Sequence, residues 1–325
     1  MPSLHKTLIG LVFFCGVIIY ASAEELECGV PTVEPVTFRD LVARVVGGDR
    51  AKPFSWPWQA LFSTFDADGQ GLMCGATIIS RRWLITAAHC TEGKFENSHV
   101  QLGAYRADDR SYLYRIDRQI SHPDYDKKTI SNDIALLHTT RDIRYNDRIQ
   151  PICITANDWG LSKEGEYGYV TGWGVYLEPN STRKSATTSN FLLQARVPFI
   201  DQGTCRRRWG SMTRGTTRIT KAQVCAGSYL HGTAPGDSGG PLQAVGTDGR
   251  WYQIGITSFG ANDEKAMLDQ GTYPGVYTRV SAYLTWINDT TDYLLPFSSS
   301  SNGISNGGWT SFIVIFILCN FIMMR

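Results

Sequence analysis

Three polar residues stand out by the company they keep. Ser238 lies in Gly236-Asp237-Ser238-Gly239-Gly240-Pro241, with an aspartate before it and glycines on both flanks. Glycine admits positive φ and lets a ligand approach the backbone closely. A serine held there can present its Oγ while neighbouring N–H groups converge on one point and stabilise an oxyanion. His89 ends an apolar run in Leu84-Ile85-Thr86-Ala87-Ala88-His89-Cys90, and Asp133 heads another in Asn132-Asp133-Ile134-Ala135-Leu136-Leu137. Taken singly, each has a plain structural explanation: a Gly-rich surface turn, a satisfied histidine, an aspartate that caps a turn. Together, a hydroxyl nucleophile, a base and an orienting carboxylate are the three parts that acyl transfer requires.

Such residues need rigid elements to hold them. Short β-rich runs recur at 59–64, 76–80, 83–86, 100–102, 114–120, 135–138, 167–171, 192–197, 253–258 and 275–280, separated by Gly, Pro, Asn and Asp clusters. That pattern predicts an all-β sandwich or barrel. Helical spacing is confined to the end of this stretch, 281–293, through Tyr283, Leu284 and Ile287. From Val45 to about Tyr293 the chain is long enough for one large all-β domain or a pair of small barrels. A hydrophobic fraction of 42% is ordinary for a globular protein. A net charge of +1 gives no electrostatic footprint for nucleic acid.

Both ends carry processing signals. Residues 1–23 combine Lys6, an apolar run at 8–20 and Ala21-Ser22-Ala23, the layout of a cleaved secretory signal peptide. At the other end, Ser298-Ser299-Ser300-Ser301-Asn302-Gly303 begins a polar linker and spacer (294–311), followed by an apolar tail (312–325). Small residues, a spacer and a short apolar tail describe a GPI-anchor signal, with Ser301 as the expected attachment residue. A short transmembrane anchor and an incidental tail remain alternatives; the tail is shorter than a spanning helix needs and contains Asn320. With both ends removed, Cys28, Cys74, Cys90, Cys153, Cys205 and Cys225 remain, an even set that implies disulfides in a secreted chain. Spacing alone does not choose among their pairings. Asn180-Ser181-Thr182 and Asn288-Asp289-Thr290 match the N-glycosylation acceptor pattern. The implied location is the extracellular face of the cell or the medium.

The segments around His89, Asp133 and Ser238 resemble, in that order, the three signature motifs of the chymotrypsin/trypsin family of serine proteases. The resemblance runs from Cys28 to about Asp292. It includes Arg44-Val45-Val46-Gly47-Gly48, Trp56-Pro57-Trp58-Gln59, Val170-Thr171-Gly172-Trp173-Gly174 and Pro274-Gly275-Val276-Tyr277. It implies two six-stranded antiparallel Greek-key β-barrels with the active site between them and a C-terminal α-helix. It implies Ser238 as nucleophile, His89 as general base and acid, and Asp133 as the orienting carboxylate. The N–H groups of Gly236 and Ser238 would form the oxyanion hole. Ser258-Phe259-Gly260, with Gly232, Thr233 and Gly275, would bind substrate; the family usually has Trp where Phe259 stands.

The same resemblance implies a zymogen, with a propeptide at 24–44 and a protease domain at 45–293. Cleavage after Arg44 would free the amine of Val45 to pair with Asp237. Cys28–Cys153 would keep the propeptide attached, and Cys74–Cys90 and Cys205–Cys225 would staple loops. The implied partners are protein or peptide substrates, a trypsin-like activating protease, serpin- or Kunitz-type inhibitors, and the membrane through the C-terminal anchor.

Several positions depart from the family pattern. Ala234 replaces one half of a common disulfide, and no Cys between Ser258 and Pro274 supplies the other. Trypsin-like relatives place an Asp where counting back from Ser238 gives Gly232, between His231 and Thr233. No acid occurs in 228–235. A basic P1 residue is therefore not expected unless Asp263, Glu264 or Asp269 folds in. Gly260 and Gly275 suit a large apolar P1 side chain, whereas His231 would favour an acidic one. Leu102-Gly103 is followed by Ala104-Tyr105, without the acidic residue that opens the family's calcium loop. His99, His122, His138 and His231 lack ligand spacing. No metal and no cofactor are expected. The rival reading is a non-catalytic, protease-like surface protein that binds a partner.

Overall fold

The computed structural model describes residues 27–37, 48–65, 70–176, 187–261 and 263–291. Its strands follow from apolar residues that alternate or run together. β1 (Asp49–Arg50) precedes β2 (Gln59–Phe65), β3 (Gly71–Ile78), β4 (Trp83–Thr86), β5 (Lys94–Leu102), β6 (Leu113–Ser121) and β7 (Ala135–Thr139). In β6, Tyr114 and Ile116 are buried while Arg115 and Asp117 are exposed, the two-residue period of a strand with one face on a core. β4 and β7, by contrast, are buried along their whole length. Both of their faces are covered, so Trp83-Leu84-Ile85 and Ala135-Leu136-Leu137 read as apolar runs without the two-residue alternation.

The second set is β8 (Tyr167–Gly172), the two-stranded pair β9 (Val175–Tyr176) and β10 (Thr187–Thr188), then β11 (Leu193–Ile200), β12 (Gln223–Ala226), β13 (Pro241–Val245), β14 (Trp251–Phe259) and β15 (Gly275–Arg279). β2-β3-β4-β7-β6-β5 close into one barrel, and β8-β11-β12-β15-β14-β13 into another, since β11 and β13 both pair with β8. Both barrels use the same order of first, second, third, sixth, fifth and fourth strand, which is a Greek key in each. β1 extends the second barrel by pairing with β11.

The barrels meet through an aromatic cluster and buried hydrogen bonds. Trp56 stands edge-on to Trp251 at 4.8 Å, and Tyr169 to Trp251 at 5.4 Å. Trp56 Nε1 donates to Gln194 Oε1 at 2.9 Å, and Thr171 Oγ1 to Gln59 Oε1 at 2.6 Å. Trp58 Nε1 also donates to Gln243 Oε1. Each pair joins the first barrel's side of the interface to the second's, so the polar groups buried there are satisfied and the relative position of the barrels is fixed. The connection between barrels is tied down by Asp158, whose Oδ2 accepts from Arg279 Nη1 at 2.6 Å, with both side chains buried.

The helical content differs from expectation. Besides the terminal helix, found as α3 (Leu284–Thr290) after a 3₁₀ turn at Val280–Tyr283, there are α1 (Gln202–Met212) and α2 (Glu264–Leu268). α1 buries only Cys205 and Trp209, a spacing too sparse to register as a hydrophobic face. The signal it does carry is its cap, Asp201 accepting from the Thr204 N–H at 2.8 Å. α2 has five residues, too few to show a period. β12 and β13 also escaped the sequence reading; one is four residues long and the other opens on a proline.

Candidate active site

The three residues singled out in the sequence, His89, Asp133 and Ser238, sit at strand ends where the barrels face each other. His89 is in a 3₁₀ turn, Ala88–Thr91, following β4. Asp133 precedes β7, and the two strands pair through Thr86↔Ala135, which brings their neighbours together. Asp133 is fully buried. Its Oδ1 accepts from the His89 backbone N–H at 2.9 Å, and its Oδ2 faces His89 Nδ1 at 2.8 Å. That contact places the proton of the neutral ring on Nδ1 and leaves Nε2 as the acceptor.

Two further donors hold this residue in place, one on its carboxylate and one on its backbone carbonyl. Ser258 Oγ donates to Asp133 Oδ2 at 2.5 Å, and Thr278 Oγ1 to the Asp133 carbonyl at 2.8 Å. Both come from the second barrel, so Asp133 bridges the interface. Ser258 was expected only on the substrate edge; its side chain supports Asp133, and nothing in a serine within a strand signals that role. Tyr283 Oη donates to Asn132 Oδ1 at 2.9 Å, which ties the C-terminal 3₁₀ turn to the same loop.

Ser238 is on the tight turn before β13. Its carbonyl accepts from the Gly75 N–H at 2.7 Å, across the barrel interface. Gly236 has φ +97° and Gly239 φ +77°. A Cβ on Gly239 would lie 2.2 Å from Thr86 Oγ1, so close passage past β4 requires glycine there. Among the described residues, the N–H groups of Gly236 and Ser238 have no acceptor. No hydrogen bond joins Ser238 Oγ to His89 Nε2, which lies 3.7 Å from Cys90 Sγ; such bonds commonly tighten only when substrate is bound.

The disulfides found are Cys28–Cys153, Cys74–Cys90 and Cys205–Cys225. Cys74–Cys90 fastens the His89 turn to β3. Cys74, His89 and Cys90 are close enough to hold an ion, but both sulfurs are committed to the disulfide and offer no thiolate.

The comparisons agree with this geometry. The trypsin family model matches residues 45–287.

The chain belongs to the trypsin family.

It is 32% identical over 265 residues to the clotting factor G beta subunit of Tachypleus tridentatus, covering 78% of this chain and 82% of that one. It is 33% identical over 290 residues to chymotrypsin-C of Bos taurus, covering 86% and 98%. It is accordingly a serine endopeptidase with the two-barrel trypsin fold.

The remaining residues singled out in the sequence fall into distinct places. Asp237 Oδ1 accepts from the Gly174 N–H at 2.8 Å and its Oδ2 from the Ala234 N–H at 3.0 Å. The carboxyl is packed among backbone but opens onto a pocket lined by Gly48, Val170, Gly172, Gly174 and Ala195. Burial outweighs the two amide donors and pushes its pKa up to about 6. Gly260 faces open space, and Phe259 packs edge-on against Trp209 at 5.1 Å. Gly232, Thr233 and Gly275 surround the Gln270 side chain, which sequence reasoning missed. Asn288 is in α3 and half-buried, with its Oδ1 unpartnered among the described residues. Arg44, Val45, Asn180 and Ser301, with the signal peptide and apolar tail, lie outside the described residues. Among the described residues no helix is long and apolar enough to cross a membrane.

Proposed function

We propose that this protease cleaves extracellular protein substrates through Ser238, His89 and Asp133, as a zymogen switched on by cutting after Arg44. The observation that carries the reading is the double hydrogen bond from His89 to the buried Asp133 carboxylate, beside the glycine-flanked Ser238 turn. Ser238 Oγ attacks the scissile carbonyl carbon. His89 Nε2 takes the hydroxyl proton and later delivers it to the leaving amine. The resulting imidazolium is stabilised by the Asp133 carboxylate. The Gly236 and Ser238 N–H groups receive the oxyanion. Water then repeats the sequence on the acyl-enzyme and releases the carboxylic acid. Fluorophosphonate labelling of the Arg44-cleaved protein tests the proposal directly: modification at Ser238 supports it, and unlabelled, fully cleaved protein favours the non-catalytic reading.

The pH profile follows from His89. Burial pulls its pKa down, but the Asp133 hydrogen bond and charge, with the charge of Glu92, outweigh burial and leave it above its ordinary 6.5. The base must be neutral, so kcat/KM falls as pH drops through that raised value. The acid limb is therefore expected above the unperturbed histidine range, and Asp133→Asn moves it downward while lowering kcat by about four orders of magnitude. A pH series of kcat/KM for both proteins checks this.

Ser301 is proposed as the attachment residue of a GPI anchor, with Asn180 and Asn288 as glycan acceptors. Phosphatidylinositol-specific phospholipase C is expected to release the protein from intact cells; retention on the membrane would refute the anchor.

A further inference from the structure

The long connection between β14 and β15 turns inward and brings Gln270 against Gly232, Thr233 and Gly275, the positions that the resemblance assigns to substrate binding. After α2, Gln270 is only 4% exposed. One residue grips both ends of its amide: Nε2 donates to the Thr233 carbonyl at 2.6 Å, and Oε1 accepts from the Thr233 N–H at 3.3 Å. Three glycines face this single side chain. A Cβ on Gly232 would lie 1.8 Å from Gln270 Oε1 and 2.1 Å from its Cδ. One on Gly275 would lie 3.0 Å from Oε1, and one on Gly227 2.6 Å from the Gln270 Cβ. The amide thus fills the volume that a side chain at position 232 would take, which is where basic-specific relatives carry an acid. Gly275, expected to leave the wall open, backs onto Gln270 and the Tyr277 hydroxyl instead.

The charged groups nearby are engaged elsewhere. Asp263 caps α2 through the Ala266 N–H at 3.0 Å, and Asp269 accepts from the Thr272 N–H at 3.1 Å. His231 Nδ1 meets the Tyr229 carbonyl at 2.9 Å, and its ring lies within electrostatic reach of Asp49. Arg208 Nη1 donates to the Gly271 carbonyl, and Asp237, on the same pocket as Gly232 and Thr233, is held by the Gly174 and Ala234 amides. What fills the space behind Gly232 is therefore a neutral, already hydrogen-bonded amide.

We propose that Gln270 is the specificity-determining residue of this protease, setting a shallow uncharged floor that selects leucine- or methionine-sized P1 side chains. This rests on the endopeptidase reading of Ser238. A lysine or arginine head would be desolvated there without a counter-charge. A full aromatic ring would meet the Gln270 amide before seating, and a misfit of a methylene or more in an apolar pocket changes specificity by roughly 10- to 200-fold.

The experiment uses Arg44-cleaved protein, counted by fluorophosphonate titration, on peptides that differ only at P1. Leu and Met are expected to exceed Lys and Arg in kcat/KM by about 100-fold, and Phe and Tyr by about 10-fold. Gln270→Ala lowers the floor and is expected to move the Phe-to-Leu ratio about 10-fold toward Phe. Gln270→Glu, nearly isosteric, is expected to raise the Arg-to-Leu ratio by a similar factor. A wild-type profile led by Lys or Arg overturns the proposal without any variant. Labelled Gln270→Ala and Gln270→Glu proteins with unchanged ratios overturn it while leaving the endopeptidase reading intact. Failure of the cleaved wild-type protein to take the label overturns both.

Discussion

Ser238→Ala is expected to lower kcat on peptide substrates by about six orders of magnitude, the loss that removal of the nucleophile causes in Ser-His-Asp hydrolases. The substitution removes one oxygen at the tip of a turn. The turn itself is built from other contacts: the Ser238 carbonyl on the Gly75 N–H, the Gly239 N–H on the Thr257 carbonyl, and the Gly240 N–H on the Asp237 carbonyl. None involves Oγ, so the fold should be retained and the Asp133–His89 pair undisturbed. The oxyanion donors also survive, which leaves a residual rate of about 10³–10⁴ over water. The measurement is peptide hydrolysis per mole of Arg44-cleaved protein, counted by total protein concentration, beside a thermal melt. A loss of less than about 10³ in a protein melting like the parent would mean that Ser238 is not the nucleophile, because removing a single supporting donor already costs that much.

The proposed catalytic residues were recognisable in the sequence because each is locked to distinctive neighbours. The Ser238 turn needs glycine at positive φ, and the His89 and Asp133 segments need small or apolar residues to enter β4 and β7. What was not readable depends on distance in the chain. Ser258 reaches Asp133 from 125 residues away, and a serine inside a strand carries no mark of its partner. Gln270 sits on a loop whose only visible features were its length and its charges. Those charges were read as candidates for the pocket, but local caps absorb Asp263 and Asp269. The neutral amide just after them packs inward because three glycines leave room for it. Strand periods survived where one face meets water, as in β6. They were lost in short strands such as β12, where tertiary contacts determine the conformation.

The largest regulatory effect is expected at Asp237. In the uncut chain this carboxyl is surrounded by packed backbone, and burial raises its pKa to about 6. The sign follows from that direction. Its contribution to stability is fully present below the ordinary carboxylate range near 3.8 and is lost as pH rises through about 6. At neutral pH this carboxyl is therefore largely ionised, and among the described residues its hydrogen-bond donors are the Gly174 and Ala234 amides. Gly48 lines the same pocket, and Val45 is three residues before it, within about 10 Å of extended chain. On the proposed zymogen reading, an ammonium freed at Val45 would pair with Asp237, depress its pKa and hold the Gly236–Ser238 turn so that its N–H groups receive the oxyanion. Asp237→Asn should leave the uncut protein at least as stable above pH 7, because the buried charge is gone. After cleavage it should show kcat/KM lower by about 10²–10³, the range associated with a disordered oxyanion site. Arg44→Gln should block the cut and yield the same silent state with Asp237 intact. In the cleaved wild type, activity should also fall on the alkaline side as the amine loses its proton, at a pH above the α-amine's ordinary value near 8 because Asp237 favours the charged form. The decisive comparison is melting and activity on the same samples. An Asp237→Asn protein that is cut, stable and fully active would show that the turn orders itself without the ion pair, and Arg44 would then control only propeptide release.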